Sequence, residues 1–204
     1  MTVALIDYGA GNLHSVHNAL RAAGAHGVMI TADAEVVRRS DRIVLPGVGA
    51  FRACIEQLRA IPGMIEAMRE AVFDEGRPFL GICVGMQLLA EAGEEFGRHE
   101  GLGWLPGTVR LMERDDPTIK IPHMGWNDVV LRRPHDLIVP GEAYFLHSYQ
   151  FEADDPADVI ATTDHGGEVI AAVGRDNILG VQFHPEKSQA YGLATLSRFL
   201  EWRP

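Results

Sequence analysis

Residues 77–93 read RPFLGICVGMQLLAEAG, a short apolar run, then Cys83 between glycines at 81 and 85, then a second apolar run. A buried structural cysteine needs no glycine on either side, whereas a nucleophile held on a tight turn does. GICVG has the Gly-x-nucleophile-x-Gly spacing of a strand–turn–helix elbow, in which the glycines let neighbouring elements approach a strained turn. The elbow lifts the side chain above the carboxyl ends of the strands, where open α/β sheets bind ligands. At the start of a helix, Cys83 also meets backbone N–H groups that favour a thiolate. The competing reading is a small apolar residue packed where strand meets helix, and the turn signature favours the nucleophile.

The elbow sits in an alternating chain. TVALID (2–7) predicts a strand ending at the turn YGAGN, and Leu13, Val16, Leu20 and Ala23 mark a helix closed by Gly24. GVMIT (27–31) and RIVLPG (42–47) predict strands, 52–75 a helical region broken at IPG, PFLGI (78–82) a fourth strand, and Val84 to Glu91 a helix. Strands apolar on both faces and alternating with helices form parallel sheets covered by helices. The second half changes to GWNDVVL, EAYFLHSYQFE, DVIATT, EVIAAVGRDN and ILGVQFHPE, strands with short turns, before a final helix from about Tyr191 to Glu201. The expected fold is α/β, a mainly parallel central sheet flanked by helices with an antiparallel extension, in a single domain spanning 1–204.

Composition narrows the function. The 204 residues suffice for one substantial core, and 47% hydrophobic with 23% charged residues is a globular balance. A net charge of −10 argues against a nucleic-acid surface, since no basic patch is there to displace phosphate counterions. No apolar run is long enough to span a bilayer, and MTVALIDYG lacks the basic region and cleavage site of a signal peptide. With two cysteines, Cys54 and Cys83, and no export signal, a reduced cytoplasmic setting is expected. GAGNLH (9–14), with Asp33 after the second strand, imitates a dinucleotide fingerprint, but His14 stands where its third glycine is needed. The phosphate-loop pattern is absent, no Cys/His cluster has metal-ligand spacing, and no cofactor is expected.

A cysteine nucleophile wants a histidine base and a group to orient it. In GVQFHPEKS (180–188), Pro185 forces His184 into extended backbone, and residues two apart in such a segment point the same way. Glu186 is thereby placed to reach the imidazole. His14, His17, His26, His99, His135 and His165 have no comparable neighbour and are expected at the surface. In LPGVGAF (45–51), the Gly47-Val48-Gly49 loop after a buried strand can aim N–H groups at an oxyanion, or can simply be a strand-to-helix turn.

PGVGAF, GICVGMQLL and QFHPEKS, in that order, resemble the class I (triad) glutamine amidotransferases over nearly the whole chain. The resemblance implies that Cys83 attacks the side-chain amide of glutamine, giving a glutamyl thioester and ammonia, with His184 as base and acid, Glu186 orienting it, and Gly47, Val48 and Gly49 as oxyanion hole. It implies substrate contacts from Gln87, Glu95, His147, Ser148 and Tyr149. DYGAGN (7–12), PHMGWN (122–127) and Lys187 resemble the glutaminase subunits of imidazole glycerol phosphate synthase, of histidine biosynthesis. That implies a heterodimer with a (β/α)8 cyclase, which receives the ammonia and makes imidazole glycerol phosphate and an aminoimidazole carboxamide ribonucleotide. Asn12, Met124, Trp126, Tyr144 and Lys187 would then lie at the partner interface or ammonia gate, core packing being the alternative for Met124 and Trp126. Rival readings are a glutaminase for another acceptor synthase, a flavodoxin-like cysteine hydrolase, or a binding module that has lost its chemistry. The subunit alone is expected to be a poor glutaminase, since uncoupled hydrolysis wastes glutamine.

Overall fold

In the computed structural model, which describes every residue except 114, 115 and 117, the chain up to residue 111 supplies seven strands. They are β1 (Thr2–Ile6), β2 (Gly27–Thr31), β3 (Arg42–Gly47), β4 (Phe79–Cys83), β5 (Ala92–Gly93), β6 (His99–Glu100) and β7 (Gly107–Leu111). Between them lie helices α1 (Leu13–Ala22), α2 (Ala34–Arg39), α3 (Phe51–Ala60), α4 (Met64–Arg69), which continues as a π turn over Glu70–Asp74, and α5 (Val84–Gln87). The remainder supplies β8 (His123–Leu131), β9 (Gly141–His147), β10 (Tyr149–Ala153), β11 (Val159–Asp164), β12 (Glu168–Arg175), β13 (Ile178–Val181) and a closing helix α6 (Gln189–Glu201).

Nine strands form one sheet in the order β2-β1-β3-β4-β13-β12-β11-β8-β9. The first five pair in parallel, and every pairing from β13 outward to β9 is antiparallel. The reason is in the side chains. β3, β4 and β13 are buried at every residue, as strands covered on both faces must be. Such residues as Phe79, Leu45 and Ile43 are wholly buried, and each contributes roughly 1.5–3 kcal/mol by leaving water. The outer β8 alternates instead, burying His123 and Val129 while exposing Met124 and Val130, so one of its faces is uncovered.

Three expectations need correction. The helix beginning at Val84 ends at Gln87 rather than Glu91. The carbonyls of Leu88, Leu89, Ala90 and Glu91 accept from the N–H groups of 101–105, at 2.8–3.0 Å, which draws the chain out of the helix and into β5. EAYFLHSYQFE is two strands, because after His147 the chain leaves β8 and joins β7, with Met112 N–H donating to the Ser148 carbonyl at 2.9 Å. A second sheet, ordered β10-β7-β5-β6, was not anticipated, since strands of two residues carry no periodic signal.

Candidate active site

The turn after β4 is strained where the spacing predicted. Cys83 has φ +53° and ψ −111°, backbone that a side-chain-bearing residue rarely adopts and that costs about 1–3 kcal/mol. The flanking glycines make the approach possible. A Cβ on Gly81 would lie 2.6 Å from the Gly85 carbonyl oxygen, and one on Gly85 would lie 1.9 Å from that of Leu45. With α5 only one turn long, the helix dipole at Cys83 is smaller than a two-turn helix would give, and the thiol also has an imidazole beside it.

That imidazole belongs to His184. Its backbone is extended, with φ −100° and ψ 99°, its N–H donates to the Tyr144 carbonyl at 2.9 Å, and Pro185 opens the short turn that follows. His184 Nδ1 lies 2.8 Å from Glu186 Oε1, and both side chains are almost wholly buried. This leaves Nε2 for the thiol. Burial by itself pushes the imidazole pKa down. Hydrogen bonds to Cys83 and Glu186 and the charges of both outweigh it, raising the pKa to about 10. Glu186 Oε2 is buried with no hydrogen-bond partner among the described residues, so the imidazole is the group this carboxylate serves.

A cavity of about 160 Å³ opens on this pair and is lined by Val48, Gly49, Cys83, Gln87, Glu95, His147, Ser148, Tyr149 and His184, with Val84 and Leu146. Gly47 does not line it. A Cβ there would lie 2.7 Å from Gly85 N, so its place is the close crossing of β3 and the elbow. The loop is held from beneath: Tyr8 OH donates to the Pro46 carbonyl at 2.6 Å, and Cys54 Sγ–H to the Val48 carbonyl at 3.4 Å. Burial pushes the Cys54 pKa up to about 11, and neither cysteine is in a disulfide. Glu95 accepts from Phe51 N–H at 2.7 Å, capping α3 and tying it to the cavity wall. A larger cavity of about 490 Å³, lined in part by Arg133, His135, Arg175 and Trp202, contains no cysteine and none of the three triad residues.

One residue beside the nucleophile was not singled out from the sequence. Gln182, wholly buried, lies 3.6 Å from Cys83 Sγ through Nε2 and accepts from Gln87 Nε2 at 3.1 Å. Its position two residues before His184, on the same side of an extended segment, was the available signal.

Of the interface candidates, Met124, Trp126 and Tyr144 lie together on the β8–β9 ladder. Met124 is 65% and Trp126 47% exposed, which rules out core packing for both. Trp126 pairs with Tyr144 across the β8–β9 ladder and meets it edge to face, ring centroids 6.1 Å apart, while Met124 pairs with Leu146. Lys187 is exposed, and Asn12 is an exposed N-cap whose side chain accepts from Ser15 N–H at 3.3 Å. Among the histidines expected at the surface, His14 and His26 are exposed. His165 is a correction: it stacks on His123 with centroids 4.1 Å apart. His135 and His99 are half-buried, the former beside the Trp202 ring, and His17 is also partly covered.

Residues 4–201 match the family model described as Glutamine amidotransferase class-I. The chain is 61% identical over 206 residues to the imidazole glycerol phosphate synthase subunit HisH of Zymomonas mobilis, covering all of this chain and 97% of that one. It is 53% identical over 212 residues to the protein of that name from Caulobacter vibrioides, covering 100% and 99%. Among solved structures, a crystal structure of a glutamine amidotransferase superposes with TM-score 0.76 at 18% identity, covering 98% of each chain. The glutaminase domain of Trypanosoma brucei CTPS with bound acivicin gives TM-score 0.66 at 16% identity, covering 100% and 95%, and these two likenesses bear on the fold. The chain belongs to the class-I glutamine amidotransferases and, within them, to the imidazole glycerol phosphate synthase subunit HisH family.

Proposed function

We propose that this chain hydrolyses glutamine to glutamate and ammonia through Cys83, His184 and Glu186, as one glutaminase domain, and passes the ammonia to a cyclase in histidine biosynthesis. The observation that carries the reading is a thiol on a strained elbow facing an imidazole whose other nitrogen is held by a buried carboxylate at 2.8 Å. The Cys83 thiolate attacks the side-chain amide carbon. The C=O electrons move onto oxygen, where N–H groups of the loop at Val48 and Gly49 receive the charge, Gly47 being set back from the cavity. His184 gives its proton to the amide nitrogen as the C–N bond breaks, releasing ammonia and leaving a glutamyl thioester. Water then attacks the thioester with His184 taking its proton, and glutamate leaves as the thiolate re-forms. Glu186 keeps the proton on Nδ1 throughout. Gln87, Glu95, His147, Ser148 and Tyr149 hold the amino acid.

Free ammonia in water is protonated and lost, so the product needs a docked acceptor. The strip of exposed Met124, Trp126 and Leu146 with half-buried Tyr144 supports docking beside the cavity, since aromatic residues and Met are enriched at interface cores. The partner of this reading is a (β/α)8 cyclase forming a heterodimer, with Asn12 and Lys187 at the rim and Tyr144 near the ammonia exit. No helix among the described residues is long and apolar enough to cross a membrane, and a cytoplasmic setting belongs to this reading as a proposal. The mechanism is tested by incubating the chain with a diazoketone analogue of glutamine and mapping the adduct by mass spectrometry. One adduct on Cys83, prevented by excess glutamine, is expected. Labelling of Cys54 in its place, or none, overturns the assignment.

A further inference from the structure

We propose that His123 and Asn127 are positioning residues for glutamine binding, acting through His147 to set the hydrogen-bond polarity of the cavity wall at 147–149; this rests on the glutaminase reading. The β8–β9 register places His123 opposite His147. The Tyr149 carbonyl can only accept, so His147 Nδ1, at 2.8 Å, carries a proton. Asn127 Nδ2 lies 2.8 Å from the Asp164 carbonyl, while its Oδ1 accepts from Asp128 N–H at 2.9 Å, which fixes the amide orientation. The second Nδ2 hydrogen faces His123 Nε2 at 3.0 Å, so that nitrogen is an acceptor and the His123 proton sits on Nδ1. His123 Nδ1 therefore donates to His147 Nε2 at 3.2 Å. An extra proton on either ring at Nε2 would set N–H against N–H. Stacking between Phe145, centroids 4.6 Å apart, and His165 at 4.1 Å keeps the His123 ring from turning to exchange its nitrogens.

The chain continues to the nucleophile. The same Tyr149 carbonyl accepts from Gln87 Nε2 at 3.0 Å, whose other hydrogen goes to Gln182 Oε1 at 3.1 Å, and Gln182 Nε2 lies 3.6 Å from Cys83 Sγ. Both Gln87 hydrogens are thus committed to the protein, leaving its Oε1 as the acceptor offered to an N–H donor of glutamine. A wall whose polarity is fixed in advance spares the substrate the cost of ordering it.

Two variants of the full chain, assayed with the cyclase, separate hydrogen bonding from space filling. His123→Phe keeps a stacked ring without a donor, and the loss of one buried hydrogen bond is expected to raise KM for glutamine about tenfold while kcat changes less than about threefold. His123→Asn puts an amide N–H near the place of Nδ1 and is expected to restore most of the affinity. Wild-type KM in the Phe variant, or equal impairment in both, overturns the proposal. Imidazole ¹⁵N spectra of the wild type decide the tautomers without catalysis: Nδ1-protonated His123 and His147 are expected, and Nε2-protonated His147 overturns it. A wild type without glutaminase activity would count against the functional reading, and the spectra would still decide the chain's polarity.

Discussion

Leu146 faces two ways: its backbone carbonyl lies 3.9 Å from Cys83 Sγ, while its side chain, 39% exposed, stands on the outer apolar strip opposite Met124. One residue of an edge strand therefore links the nucleophile to the proposed docking face. Truncating that face should weaken the complex without unfolding the subunit. Trp126→Ala is expected to cost about 2 kcal/mol of cyclase binding, the size of an interfacial hot spot, with little change in Tm. Titration calorimetry checks it, and unchanged affinity would move the interface elsewhere.

Glu186→Gln should leave the triad assembled but remove the charge that holds the His184 proton. Loss of a triad carboxylate's charge lowers kcat by roughly 10⁴-fold in a comparable site. The sign of the pH effect follows from a folded-state pKa raised from 6.5 to about 10. Stabilisation by protonated His184 is complete below the unfolded value and fades as pH rises through about 10. In the variant the ring should lose its proton at lower pH, read from its NMR titration. An unchanged titration would remove Glu186 from the role.

Gly85→Ala should be among the most damaging small changes in the chain. The added carbon meets a backbone oxygen at 1.9 Å in the parallel core, and neither β3 nor the elbow has room to withdraw. A loss of about 3 kcal/mol or more is expected in denaturant unfolding, within the range of severe core overpacking. A loss below about 1 kcal/mol would show that the elbow relaxes.

Glu95→Ala should act on stability and binding together. It removes the acceptor of Phe51 N–H, expected to cost about 1 kcal/mol as a lost helix cap, and it strips the cavity of a carboxylate, raising KM. Denaturation and steady-state kinetics on the same preparation check both arms.

The parallel core was legible because β1 and β3 after their first residue, and β4 and β13 throughout, carry no charged or strongly polar side chain, the pattern of a sheet covered on both faces. The elbow and the His184–Glu186 pair were legible because their geometry is local, set by glycines and a proline within five residues. What was missed depends on partners distant in sequence. The end of α5 is decided by N–H groups at 101–105. The role of His123 appears only when β9 is laid beside β8, and that of Gln182, hinted at by its spacing from His184, becomes plain when the end of β13 is laid beside β4. Short strands such as β5 and β6 exist only through the ladders that others offer them.

The most direct test is glutamate release from glutamine by wild type and Cys83→Ala, each alone and with the (β/α)8 cyclase and its nucleotide substrate. The account predicts slow release by the wild type alone, faster release in the complex, and none from the variant. Equal release by the two, or none from the wild type with saturating cyclase, would contradict it.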